Sequence, residues 1–142
     1  MQTNPYVKMK ENAVMTAPKE ELTLMLYDGA LKFINQAQIA LETKDHSKAH
    51  DRLLRVQDII REFQLTLDRK HEVSKHFDIM YEYIYRRLIE ANTSKDPEIT
   101  QECSDLIRSM RDMWKEAIQI ARGGTGQPSA GATVGIGKTL QG

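Results

Sequence analysis

The sequence predicts an all-α protein, an antiparallel up-down four-helix bundle, from its length, its breaks and its apolar spacing. The 142 residues are enough for one sizeable core. Of eight glycines only Gly29 precedes residue 123, and Pro97 is the single proline between residues 19 and 122, so this stretch favours helix. Four segments within it repeat apolar residues at steps of three and four, the spacing of one buried helix face.

The first helix is predicted to begin at Thr16-Ala17-Pro18, which offers a capping hydroxyl and a proline for the first turn. Glu20 and Glu21 then face the positive end of the helix dipole. We expect this helix to run to about Thr43. Its predicted core face consists of Leu22, Met25, Leu26, Ala30, Phe33, Ala37 and Ala40.

Three further helices follow, separated by short polar segments. The pattern pauses at residues 44–47 and 68–71, and Asp96-Pro97-Glu98 has the form of a helix start with proline at the first position. Gly123-Gly124 ends the fourth helix. The predicted core face of the second helix is Ala49, Leu53, Val56, Ile60, Phe63 and Leu67. That of the third helix is Val73, Phe77, Met80, Ile84, Leu88 and Ala91, and that of the fourth is Cys103, Leu106, Ile107, Met110, Trp114, Ala117 and Ala121.

The chain therefore divides into three predicted parts. Residues 1–17 form a short N-terminal arm without a clean period, residues 18–122 form the bundle, and residues 123–142 form a flexible Gly-rich C-terminal tail.

Composition and charge narrow the classes of partner. Twenty Lys plus Arg balance twenty Asp plus Glu, so no net charge attracts nucleic acid or an anionic membrane. We expect no nucleic-acid binding and no membrane insertion, because no apolar run reaches the ~20 residues of a span. The opening residues lack the apolar core of a signal peptide, and the one cysteine, Cys103, has no internal partner, so we expect a cytoplasmic protein.

No pattern of catalytic or metal-binding residues is present. Helical bundles often hold metals through Glu-x-x-His, which this sequence lacks, and His71-Glu72 is followed by Lys75 where a zinc-protease helix needs a second histidine. Residues 132–139 fit a relaxed phosphate-loop pattern, but no strand precedes them. We therefore expect no enzymatic activity, no metal and no cofactor.

The helices carry more apolar residues than a bundle needs. On the first helix, Leu24, Tyr27, Leu31, Ile34 and Leu41 lie on an arc beside the predicted core face, although a bundle helix needs a stripe of only ~100°. This surplus could pack against the arm or be scattered exposed side chains. It could equally form a hydrophobic groove for a protein partner. The second and third helices carry fewer such residues: Leu54, Ile59 and Leu65, and Ile79, Tyr83, Tyr85 and Ile89.

From Asn4-Pro5-Tyr6 through Glu20-Glu21-Leu22 to Arg111-Asp112-Met113-Trp114, several blocks in order along residues 4–122 resemble the FliS family of flagellin export chaperones. The run Met25-Leu26-Tyr27-Asp28-Gly29 is the most specific of them, and Lys70-His71 departs from the family by replacing a usual glycine pair. The matching blocks are Asn4-Pro5-Tyr6, Asn12-Ala13-Val14-Met15-Thr16-Ala17, Glu20-Glu21-Leu22-Thr23-Leu24-Met25-Leu26-Tyr27-Asp28-Gly29-Ala30, Thr66-Leu67-Asp68, Tyr81-Glu82-Tyr83, Arg86-Arg87-Leu88-Ile89-Glu90-Ala91-Asn92 and Arg111-Asp112-Met113-Trp114-Lys115-Glu116-Ala117.

The resemblance implies a four-helix bundle without catalytic activity. It implies a cytoplasmic chaperone that binds the disordered C-terminal segment of flagellin, prevents premature polymerisation and keeps the subunit competent for flagellar type III secretion. Other flagellar export or regulatory proteins would be further partners.

Helical geometry then suggests which residues form the client-binding groove. The predicted groove residues are Leu24, Tyr27, Leu31, Ile34, Leu54 and Leu65. Tyr6, Val14 and Met15 would form an arm that shields the groove until the client arrives. We expect a monomer or a weak dimer. The alternative is a structural bundle that self-associates through the same apolar surface.

Overall fold

The computed structural model describes residues 19–121, which form four α-helices. Helix α1 spans Lys19–Glu42, α2 His46–Thr66, α3 Glu72–Ser94 and α4 Pro97–Ala121. Each helix packs against the next, and α4 packs against α1, so the four close into a ring. The short connections make successive helices antiparallel, and the predicted all-α up-down bundle is confirmed. The predicted arm and tail lie outside the described residues.

Local capping explains where the helices begin and how the chain turns. The Asp45 carboxylate accepts a hydrogen bond from the Lys48 backbone N–H at 3.1 Å, and Asp96 does the same for Glu98 at 2.8 Å. Lys44 and Lys95 take positive φ values of 60° and 53° in the turns before these caps. At the other end of the bundle, Asp68 closes the α2–α3 turn by accepting from the Lys70 N–H, so no glycine pair is needed there.

The core lies along the axis of the ring and contains the faces predicted for α2, α3 and α4, apart from Ala121, whose side chain lies outside the described part of the chain. Most of those residues are buried, and Leu67, Met80, Leu106 and Trp114 are half-buried against the same cluster. The largest side chains with essentially no exposure are Tyr27, Ile34, Leu53, Ile60, Ile84, Leu88, Ile107 and Met110.

The predicted core face of α1 is only partly right. The structure buries Tyr27, Ile34 and Leu41 together with Ala30, Ala37 and Ala40, whereas Leu22, Met25, Leu26 and Phe33 remain half-exposed. At about 100° per residue, the buried face is turned by roughly 60°, about a sixth of the circumference, from the predicted one. Because apolar residues cover more than half of α1, their spacing alone does not determine which of them face the core.

Two isoleucines on α1 differ in burial, so the expected cost of truncating them differs as well. Ile34 is 1% exposed and Ile39 is 51% exposed. We expect Ile34→Ala to lower the free energy of unfolding by about 2–4 kcal/mol, because it leaves a cavity in the core. Ile39→Ala should change it by less than about 0.5 kcal/mol. Urea unfolding followed by circular dichroism measures both, and equal effects would contradict the observed rotation of α1.

Candidate binding site

Two of the six predicted groove residues lie in the core. Tyr27 is fully buried, its hydroxyl lies 2.5 Å from that of Tyr81, and its ring centre lies 4.4 Å from that of Phe63. Ile34 belongs to the same cluster. The structure therefore corrects the placement of Tyr27 and Ile34, which offer no surface to a partner in this arrangement.

The other four predicted residues do not share one surface. Leu24 and Leu31 flank Asp28, whose carboxylate contacts Arg111 of α4 at 3.1 Å, so they lie on the α1–α4 side and are half-buried. Leu54 lies one turn after His50, on the opposite side of the bundle between α2 and α3.

Leu65 lies eleven residues after Leu54, about 20° from it around α2, and therefore on the same side of that helix. Leu65 is 76% exposed on the outer face of α2. Tyr6, Val14 and Met15, predicted to form the arm, lie outside the described residues. A role for any of these side chains in client binding stays a prediction.

An apolar surface does run along the outside of the α2–α3 contact. His50 Nδ1 lies 3.1 Å from Asn92 Oδ1 at one end, and Gln64 donates to Glu82 at 3.1 Å at the other, which sets the antiparallel register. By this register Leu54 lies at the level of Ile89, and both are about two-fifths exposed. We call this surface the α2–α3 seam and define it by Leu54, Gln57, Arg61, Tyr85 and Ile89.

A buried amide and a stacked pair distinguish this seam from an ordinary helix contact. Gln57 is only 9% exposed, and its side-chain Oε1 has no hydrogen-bond donor. It lies two turns from both His50 and Gln64, and therefore on the α3 side of α2. The Arg61 guanidinium lies 3.8 Å from the ring centre of Tyr85. The seam thus combines exposed aliphatic area with an acceptor that lacks a partner.

A second feature is a cavity of about 310 Å³ at the end of the bundle where α1 begins and α4 ends. Trp114 stands at its mouth and donates from Nε1 to the Glu20 carbonyl at 3.0 Å. Lys19, Asp68 and His71 lie on its polar side. Its apolar walls come from Phe63, Leu67, Val73, Phe77, Trp114 and Ile118.

The titratable groups of the core are held in their neutral forms. Burial raises the pKa of Tyr81 to about 12, and burial followed by the proximity of Tyr81 raises the pKa of Tyr27 well above its ordinary value. Burial also raises the pKa of the Cys103 thiol to about 12. A thiol held in this form is a poor nucleophile, so Cys103 acts as a small core side chain.

Sequence reasoning missed Gln57 and the cavity, and it noted Ile89 and Tyr85 without assigning them to a surface. A polar residue directly after Val56, within an apolar face, was the available signal for Gln57. Of the apolar cavity walls, all but Ile118 were predicted as core, and the spacing of apolar residues carries no information about how well a core is filled.

Among residues 19–121, no group of three or more His, Cys, Asp or Glu side chains is placed to hold a metal ion. Within the same range, no helix is long and apolar enough to cross a membrane.

Exposed aliphatic side chains along a seam and a cavity at one end are features that protein interfaces commonly have. Residues 2–121 match the family described as flagellar protein FliS. The chain is 44% identical over 119 residues to the flagellar secretion chaperone FliS of Bacillus subtilis strain 168, covering 84% of this chain and 90% of that protein.

Two further relatives agree. The flagellar secretion chaperone FliS of Escherichia coli K12 is 31% identical over 111 residues, covering 76% of this chain and 82% of that protein. The flagellar secretion chaperone FliSB of Pseudomonas aeruginosa PAO1 is 31% identical over 106 residues, covering 73% of this chain and 84% of that protein. The chain belongs to the FliS family.

The buried tyrosine pair predicts how stability depends on alkaline pH. In the unfolded chain both hydroxyls ionise near pH 10, whereas in the fold their raised pKa values keep them neutral. Their contribution to stability is complete below about pH 10 and is lost as the pH rises through about 12, by up to about 1.4 kcal/mol per pH unit for each tyrosine. Denaturant unfolding between pH 8 and pH 11 measures this slope.

The double variant Tyr27→Phe/Tyr81→Phe is the control for that experiment. It removes both hydroxyls and should show a shallower alkaline decline than the parent protein. An unchanged slope would mean that these two groups do not carry the dependence.

Proposed function

We propose that the chain is a cytoplasmic, non-enzymatic export chaperone that binds the C-terminal segment of flagellin. Binding would prevent premature polymerisation and keep the subunit competent for flagellar type III secretion. Membership of the FliS family supports an export chaperone role, and the relatives named above are flagellar secretion chaperones. The α2–α3 seam is the observation that supports client binding by this chain.

The seam suits an amphipathic segment that becomes ordered on binding. Leu54 and Ile89 supply apolar area, and the exposed hydrophobic edge of a client helix would cover them. The client loses conformational entropy as it orders, and burial of apolar surface on both partners offsets that loss. The Arg61–Tyr85 stack fixes one side of the contact before the client arrives.

The side-chain carbonyl oxygen of Gln57 in the seam lacks a hydrogen-bond donor. Leaving a buried acceptor without a donor costs about 1–3 kcal/mol in the free protein. This oxygen has no accessible surface in the free protein, so a backbone N–H of the client would reach it only after the Gln57 side chain turns outward. Part of that cost would then return as binding free energy. A hydrogen bond to Gln57 that forms only in the complex would stabilise the complex relative to the free protein.

The cavity beside Trp114 supports a second contact, at the end of the bundle where α1 begins. Its walls are aromatic and aliphatic, so it accepts an apolar side chain. In our proposal the arm residues Tyr6, Val14 and Met15 cover apolar surface at this end until the client replaces them. Leu24, Leu31 and Leu65 remain candidates for further contacts along the client's path.

Calorimetry with a flagellin C-terminal peptide tests the proposed function. We expect binding at micromolar concentrations with a negative heat-capacity change, because apolar surface is buried. Leu54→Asp should weaken binding at least about tenfold, since it places a charge in the seam. Ile39→Asp is the matched control, an exposed aliphatic position on the outer face of α1, and should bind like the parent protein.

No heat of binding and no change in the amide spectrum of the protein would contradict the proposal. Sedimentation at several concentrations tests the alternative of a self-associating bundle. Tight self-association that persists with the peptide present, and that Leu54→Asp abolishes, would favour that alternative.

Replacing Gln57 separates stability from recognition. Gln57→Met keeps the length of the side chain but removes the unpaired carbonyl, so we expect the free energy of unfolding to rise by about 1 kcal/mol. Affinity for the flagellin peptide should fall several-fold, because a hydrogen bond of the complex is lost. Urea unfolding and calorimetry on the same sample measure the two effects. Tighter binding by Gln57→Met would contradict the role given to this carbonyl.

A further inference from the structure

A second apolar strip lies between α3 and α4, on the side of α3 away from the α2–α3 seam. Tyr83 and Tyr85 are two residues apart and about 200° apart around the helix. Tyr85 stacks with Arg61 of α2, whereas the Tyr83 hydroxyl donates to Glu102 Oε2 of α4 at 2.5 Å. The two tyrosines therefore belong to opposite sides of α3.

We call this strip the α3–α4 seam and define it by Ile79, Tyr83, Leu106 and Met113. Ile79 is 68% exposed and Tyr83 is 37% exposed, and the other two are half-buried against the core. The Tyr83 ring is held in place before any partner binds, because Glu102 also accepts from Arg87 at 2.8 Å. A fixed aromatic ring beside an exposed isoleucine loses little side-chain entropy on binding.

The two edges of this seam differ in charge. On the α3 edge, Lys75 and Arg86 are exposed cations. On the α4 edge, five acidic side chains follow one another at spacings of four, three, seven and four residues, which places them in one row along the outer face of the helix. All five are exposed or half-buried, and they are Glu98, Glu102, Asp105, Asp112 and Glu116. Three of them also contact arginines of this chain: Glu102 with Arg87, Asp105 with Arg108, and Asp112 with Arg111.

We propose that the α3–α4 seam is a docking surface for an amphipathic helix of a second protein whose α4-facing edge is basic. The apolar face of this helix would cover Ile79 and Tyr83. Its lysines or arginines would lie along the acidic row of α4, where complementary charge sets orientation and speeds association. This site is additional to the flagellin contact proposed for the α2–α3 seam and does not depend on it.

The charge of the α3–α4 seam favours a helix of another protein as its partner over a second copy of this chain. Two copies meeting at this seam would bring both acidic rows to one interface, which like-charge repulsion opposes. The acidic residues also do not need to be desolvated, because a helix seated on Ile79 and Tyr83 meets them only at its edge. Rim charges of this kind contribute mainly to association rate and to salt dependence.

The test uses a synthetic amphipathic peptide of leucine, alanine and lysine, with its lysines along one edge of the helix. A second peptide carries glutamate in place of each lysine. We expect the full chain to bind the lysine peptide, with an affinity that falls as salt increases, and to bind the glutamate peptide at least about tenfold more weakly. Calorimetry gives the affinities, and amide chemical shifts locate the peptide.

Three variants make the site assignment falsifiable, and all change exposed positions so that the fold is retained, as circular dichroism will verify. Ile79→Asp should reduce affinity for the lysine peptide at least about tenfold, and Asp105→Lys/Asp112→Lys about fivefold with a weaker salt dependence. Ile39→Asp is the matched control and should bind normally. Both seam variants should still bind the flagellin peptide, which separates this proposal from the one above.

An equal loss of affinity for the lysine peptide in Ile39→Asp and Ile79→Asp would overturn the proposal, because it would indicate that the peptide binds nonspecifically and not at the α3–α4 seam. Unchanged binding by Asp105→Lys/Asp112→Lys would overturn the requirement for a basic edge. Self-association that Ile79→Asp abolishes would assign the seam to a second copy of the chain.

Discussion

The tilted, closely packed rings of Tyr27, Phe63 and Tyr81 determine how the first three helices are rotated against one another. The ring centres of Phe63 and Tyr81 lie 5.4 Å apart, and Phe77 extends the stack to within 6.3 Å of Trp114 on α4. The Tyr27–Tyr81 hydrogen bond satisfies both hydroxyl oxygens within this apolar cluster. Because these rings have to meet, α1 turns Tyr27 inward and leaves part of its leucine-rich arc at the surface.

That rotation decides which apolar side chains are available to partners. With Tyr27 and Ile34 in the core, four of the six exposed large apolar side chains lie on the two seams beside α3, and Ile39 and Leu65 lie outside them. Helix α3 therefore separates two surfaces of different character. One contains a buried carbonyl without a donor, and the other has an acidic edge, so the two seams favour partners of different chemistry.

The four-helix fold could be predicted from the sequence because each helix has its own start signal, stop signal and apolar periodicity. The faces of α2, α3 and α4 could be read from spacing, since polar residues bound each of them. The face of α1 could not, because Leu24, Tyr27, Leu31 and Ile34 are as apolar as the residues beside them. Which of them the core accepts depends on contacts with Phe63 and Tyr81, which are distant in sequence. The unpaired carbonyl of Gln57 likewise depends on three-dimensional packing that no local pattern records.

The open end of the bundle has a consequence for anything joined to the chain there. Residue 19 and the last turn of α4 both border the cavity beside Trp114. A segment tethered within a few residues of this end experiences an effective concentration on the order of millimolar near the cavity. Even a feeble intramolecular ligand would then compete with a free peptide present at micromolar levels. Affinity tags are better introduced at the opposite end, near Lys44 or Lys95, where they do not crowd this opening.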